Sequence, residues 1–122
     1  MTTMTRPRPG FSRGVVVLVL FPHSDLRTAK PRPALVVQAD DLRTGLSQLI
    51  VAMITSRLSR GAHPSRIVVG LDTAEGKQSG LLTDSVVMTD NLATVAESEI
   101  DRVIGSLPMS NVDAALRHTL GL

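Results

Sequence analysis

Arg32 stands between Pro31 and Pro33, in the stretch "KPRPALVV". Each proline fixes its own φ and restricts the residue before it to extended geometry. The arginine therefore sits on a stiff backbone where an apolar run begins. A guanidinium held this way suits two-pronged binding of a phosphate. About twenty residues on, "MITS" ends a second apolar run with two hydroxyls, Thr55 and Ser56, and leads directly into Arg57 and Arg60. Two strand ends that open into basic loops and share one edge of a small sheet would gather Arg32, Thr55 and Ser56 around one cleft. The bland readings stay open at this point: an arginine in a proline-rich turn is ordinary surface chemistry, and hydroxyls at a strand end often only cap the turn.

Other chemistry finds little support. His23, His63 and His118 follow no ligand spacing and have no carboxylate cluster beside them, so neither a metal nor a cofactor is expected. Cysteine is absent, which excludes disulfides and thiolate sites and fits a cytoplasmic protein. There is no dinucleotide fingerprint, phosphate loop or serine-hydrolase elbow. The longest apolar run, "VVVLVLF" at 15–21, is far too short to span a bilayer. Arginines precede it as they would in a signal peptide, but "PHSDLRT" follows where a small-residue cleavage site would be. It reads as a buried strand.

Charge is unevenly distributed. Residues 1–66 carry ten Arg or Lys against three acids, whereas 67–122 carry three against eight, within a net charge of +2. This points to a polyanionic partner for the first half, unless the halves interleave in space and the field averages out.

The elements that must position these residues are short. Of the 122 residues, 1–13 read as a flexible lead-in and 14–122 as a single domain. Val15–Phe21 predicts a central strand, 22–33 a long polar loop, and Ala34–Gln38 a second strand. Strands are expected over 46–55, 66–70, 81–88, 93–95 and 103–107, with basic "SRLSRGAHPS" as a loop and "LDTAEGKQSG" as turns. Ser110 and Asp113 approximate a capping box, and Val112, Leu116 and Leu120 recur at helical spacing, so a helix is expected over 110–120. The pattern predicts a mainly β fold, a small bent sheet or barrel with one terminal helix.

The ordered set "SRGVVVLVLFPHSD", "KPRPALVVQADDL", "IVAMITSRLS", "SGLLTDSVVMTDNLATV" and "RVIGSLPMSNVDAALRHTLGL" resembles the MazF/PemK family of toxin endoribonucleases, from about Ser12 onward. The resemblance implies an SH3-like barrel of about five to seven strands that forms a homodimer. It implies metal-independent cleavage of single-stranded RNA, without cofactor, to 2′,3′-cyclic phosphate and 5′-hydroxyl ends, and so inhibition of translation and growth. It implies a cognate antitoxin whose tail covers the cleft. Catalysis would fall on Arg32, which would bind the scissile phosphate and take part in proton transfer, and on Thr55, which would hydrogen-bond a phosphoryl oxygen. RNA contacts would come from Ser56 and Ser85, from His23, Arg27 and Lys30 in the first loop, and from Arg57 in the second. Two departures stand out. Val15 occupies a position where many relatives carry an acid, and Asp25 is the only acid ahead of Arg32 in its loop, so the general base is unassigned. The alternatives are a non-catalytic CcdB-like toxin directed at gyrase and a degenerate relative that only binds RNA or antitoxin.

Overall fold

The computed structural model describes residues 11–22 and 29–122. Six strands form one antiparallel sheet: β1 (Val15–Pro22), β2 (Ala29–Val36), β3 (Gln48–Thr55), β4 (Arg66–Val69), β5 (Ser85–Ala96) and β6 (Ile100–Ser106). Helix α1 (Ala74–Ser79) lies between β4 and β5, and α2 (Ser110–Leu120) follows β6. The order across the sheet is β4-β5-β3-β2-β1-β6. The expected mainly β class and terminal helix are present. The ladder, however, does not close: β4 and β6 are its two edges. No helix among the described residues is long and apolar enough to cross a membrane.

The uninterrupted apolar runs are explained by burial on both faces of the bent sheet. Along β1, Val16 joins one cluster with Leu35, Ile54, Val87 and Val112. Its neighbours Val17 and Val19 join a second with Ala34, Val36, Leu49 and Val51. Alternate side chains point to opposite faces, so a strand covered on both sides has no polar alternation. Helix α2 closes the first cluster through buried Val112, with Leu116 packed against it.

Several expected boundaries move, each for a local reason. The polar loop expected over 22–33 is shorter, because residues 29–33 already belong to β2 and pair with β1, with Arg32 opposite Val19. The "LDTAEGKQSG" turns contain α1, six residues and too short to show a period. Its N-cap is Thr73, whose Oγ1 accepts from the Gly76 N–H at 3.0 Å. The two strands expected over 81–88 and 93–95 are one twelve-residue strand, β5. The last strand starts earlier than expected, at Ile100, after a 3-10 turn over 97–99. The Ser110–Asp113 capping box does not form. Met109 is the N-cap without a side-chain bond, and the Asp113 carboxylate instead accepts from Arg13 Nη2 at 2.7 Å. Arg13 Nε also donates to the Val37 carbonyl at 2.9 Å, so this side chain joins the end of β2 to α2. Leu120 lies at the end of the helix and is 55% exposed, outside the apolar stripe.

Candidate active site

Pro31 and Pro33 have a structural consequence that their stiffness alone does not convey. Successive N–H groups along a strand point to opposite sides. Residues 31 and 33 face the same way, and their pairing with β1 is intact, opposite Leu20 and Leu18. Their missing N–H groups therefore lie on the side of β3. There the β2–β3 ladder stops, with Ala34 opposite Met53 as its outermost pair. A proline cannot donate to a ladder, so it is confined to unpaired strand edges. The two prolines end the ladder and leave a gap between β2 and β3. Continuing the register two residues beyond the last pair sets Arg32 across that gap from Thr55.

The gap opens into a cleft of about 800 Å³. Its lining includes Lys30, Arg32, Thr55, Ser56, Arg57 and Ser85, so six of the expected site residues meet here. His23 and Arg27, the remaining two, lie outside the described residues. The polar lining also includes residues not named as site candidates from the sequence, among them Arg60 beside Arg57, Arg102 from β6, and Asn91 from β5. The cleft thus carries five cations and no acid among its described lining residues. Four of the five come from the basic first half of the chain. The two halves do interleave in the sheet, since β5 lies beside β3 and β6 beside β1, yet the cations collect on one concave surface. Among the described residues no carboxylate pairs with Lys30, Arg32, Arg57 or Arg60. Arg102 is held by its neighbour Asp101 at 2.8 Å. An acid-free basic concavity focuses positive potential and draws in polyanions.

The individual groups are arranged differently from one another. Lys30 and Arg32 are exposed and reach solvent. Thr55 is half-buried, and its Oγ1 accepts from the Arg57 N–H at 3.2 Å. That bond uses a lone pair and leaves the hydroxyl proton available to donate. Ser85 is 3% exposed, and its Oγ donates to the Thr83 carbonyl at 2.8 Å, so only its acceptor capacity remains for a ligand. Among the described residues there is no group of three or more side chains that could hold a metal ion.

The basic loop after Thr55 is fixed from behind. It contains a 3-10 turn, Leu58–Gly61, whose Arg60 carbonyl accepts from Arg66 Nη1 at 3.2 Å. Arg66 forks onto Asp90, with Nε to Oδ1 at 3.2 Å and Nη2 to Oδ2 at 2.7 Å. The hydrogen bonds from Arg66 hold the Asp90 carboxyl below the usual aspartate range against the opposing effect of burial, and the same fork raises Arg66. A carboxyl whose folded pKa is lowered contributes stability above its unfolded pKa, and that contribution is lost as pH falls through the folded value. Asp90→Asn should therefore melt below the parent at neutral pH, and the difference should vanish in acid below the ordinary aspartate range. Thermal melts of both proteins across this range test the point. A difference that stays constant with pH would remove the ionic fork as its cause.

Known proteins share this fold and much of this sequence. The chain is 33% identical over 107 residues to Endoribonuclease MazF2 of Mycobacterium bovis and to Endoribonuclease MazF6 of Mycobacterium tuberculosis, covering 84% of this chain and 90% of each relative. An endoribonuclease of a mycobacterial species, solved in complex with its cognate antitoxin, superposes with a TM-score of 0.71 at 20% identity, over 91% of this chain and 95% of that one. The MazE–MazF structure from Deinococcus radiodurans gives 0.67 at 20% identity, over 91% and 96%. The family model of PemK-like, MazF-like toxins of type II toxin–antitoxin systems matches residues 12–120. Almost the whole described fold lies within that match, and the chain belongs to the PemK/MazF toxin family.

Proposed function

We propose that this protein is the toxin of a type II toxin–antitoxin module and acts as an endoribonuclease on single-stranded RNA in the cytoplasm. The observation that carries the reading is that Arg32 and Thr55, at the strand ends beyond the last β2–β3 pair, line one basic cleft with no acid among its described lining residues. The reaction is a transesterification. The ribose 2′-oxygen attacks the adjacent phosphorus, the bond to the 5′-oxygen breaks, and the proton lost from the 2′-hydroxyl is balanced by one delivered to the leaving 5′-oxygen. Negative charge builds on the non-bridging oxygens. Arg32 takes these oxygens bidentately and Thr55 donates its free hydroxyl proton to one of them, an oxyanion-hole arrangement. Lys30 and Arg57 hold the flanking phosphates. No carboxylate or histidine among the described cleft residues is available as general base, so the base is not assigned to this part of the chain.

The cognate antitoxin would cover the cleft with an acidic segment, drawn by the same field, and its affinity would fall with added salt. A homodimer would cover an open edge of the sheet, β4 or β6. The reaction itself is tested by incubating the purified protein with a long RNA in EDTA and mapping the fragment ends. Fragments with 5′-hydroxyl and 2′,3′-cyclic phosphate ends are expected. Intact RNA would overturn the reading and favour a toxin that binds without cutting, whereas 5′-phosphate ends would overturn the transesterification by the 2′-oxygen.

A further inference from the structure

Strand β5 departs from its partner at one place. Met88 and Leu92 stand opposite Met53 and Ala52, which are consecutive, so Thr89, Asp90 and Asn91 have no counterparts on β3. Such bulges re-aim side chains and are over-represented beside functional sites. Here each of the three residues takes a separate direction. Thr89 is fully buried; its Oγ1 donates to the Ser65 carbonyl at 2.6 Å and lies 2.7 Å from Thr119 Oγ1 on α2. Asp90 grips Arg66. Asn91 is exposed, lines the cleft, and makes no side-chain hydrogen bond to the described residues. Two anchors thus hold the backbone on which one uncommitted amide is presented to the cleft.

The same cleft contains no aromatic side chain among its described lining residues. An unstacked base must then find its planar contact on a guanidinium. Arg60 is suited to this, because its Nη1 rests 3.9 Å from the sulfur of Met88, the residue just before the bulge, and no acid among the described residues pairs with it. An amide offers one acceptor beside two donors, which matches the paired donor and acceptor on the edge of a nucleobase.

Resting on the reading of the cleft as an RNA-cleaving site, we propose that Asn91 is a specificity-determining residue. Its amide reads the hydrogen-bonding edge of one unstacked base near the scissile phosphate, while the Arg60 guanidinium supplies the surface on which that base lies. The β5 bulge aims Asn91, and the Arg66–Asp90 fork fixes the turn that carries Arg60.

The test is cleavage of a random-sequence RNA pool followed by sequencing of the ends, for the parent, Asn91→Ala and Asn91→Asp, with melts to confirm folding. The parent should show base preferences at several positions. Asn91→Ala should lower the preference at one position by about tenfold or more and leave the others intact. Asn91→Asp, nearly isosteric but without donors, should change which base is preferred at that same position. Unchanged profiles for both variants, a uniform loss of rate at all sites, or a parent that cuts without preference would each overturn the proposal while leaving the ribonuclease reading standing. A parent that does not cut RNA would overturn both.

Discussion

Replacing Arg32 by lysine is expected to lower the initial rate of RNA cleavage by about 10²–10³-fold, or ~3–4 kcal/mol of transition-state stabilisation, although the charge is kept. Lysine presents a compact ammonium on a flexible stem and cannot make the planar, two-pronged contact that a charged phosphorane requires. The stiff segment Pro31–Pro33 then aims the wrong group. Thr55→Ala should cost a similar order, through loss of the one hydroxyl proton that the Arg57 N–H leaves free. Arg43→Ala is the control. Arg43 lies in the turn beyond β2 and lines a separate small hollow with Phe11, so its loss should leave the rate unchanged. All three variants should fold, since Arg32 and Arg43 are exposed and Thr55 is half-buried at the cleft wall. Initial rates on one RNA substrate, with a melt of each variant, decide the matter. If Arg32→Lys cuts within about threefold of the parent, a margin under ~1 kcal/mol, the arginine is not held for phosphate recognition.

Gly80→Ala is expected to be strongly destabilising, at about 2–5 kcal/mol. Gly80 ends α1 in the left-handed region with φ of 74°. Any Cβ there costs roughly 1–2 kcal/mol. A Cβ at this position would also overlap the Ile104 carbonyl oxygen on β6, which is backbone and cannot move aside cheaply. Overpacking of that kind adds about 1–3 kcal/mol. Gly121 is the matched comparison. It ends α2 with φ of 72°, but a Cβ there would meet nothing within 4 Å, so Gly121→Ala should cost only the conformational part. In a domain whose whole stability is about 5–15 kcal/mol, the first change threatens folding and the second does not. Thermal or denaturant melts of both variants measure the difference. Equal losses would show that α1 does not dock against β6 as closely as the structure has it. Gly80 also lines the cleft, so this docking shapes one of its walls.

Much of the scaffold was legible because its signals are local. The β-branched run at Val15–Phe21 specifies a strand in any context that can bury it, and β1 spans Val15–Pro22. The segment 110–120 carries helical spacing, and α2 occupies those residues. What failed was local sequence whose meaning depends on a distant partner. Asp113 was read as a capping acid, but Arg13, one hundred residues away, takes its carboxylate. The stretch 89–92 separates the two strands expected from the sequence. It stays within β5 because Ser65, Arg66 and Thr119 satisfy Thr89 and Asp90. The six residues of α1 give no period to detect, and the close approach that selects Gly76 and Gly80 is a contact with segments elsewhere in the chain.

By itself the sequence determined which residues could act: a proline-flanked arginine, a strand ending in two hydroxyls, a basic first half, and the ordered motifs of a toxin family. Side-chain chemistry and backbone restriction belong to single residues and their immediate neighbours, so both can be read along the chain. The tertiary structure decided which of these residues meet. The strand register, continued two residues beyond its last pair at Ala34 and Met53, sets Arg32 across from Thr55. The prolines' missing donors open the gap between them. The order of strands brings Arg102 and Asn91, from the acidic half of the chain, to the same cleft. Burial turned Ser85 from a free hydroxyl into one already committed to Thr83, and of the two expected forms, a bent sheet or a barrel, the strands take the open sheet with edges at β4 and β6. Each of these outcomes depends on pairing between segments far apart in the chain, and a pairing partner is a property of the fold that no residue carries alone.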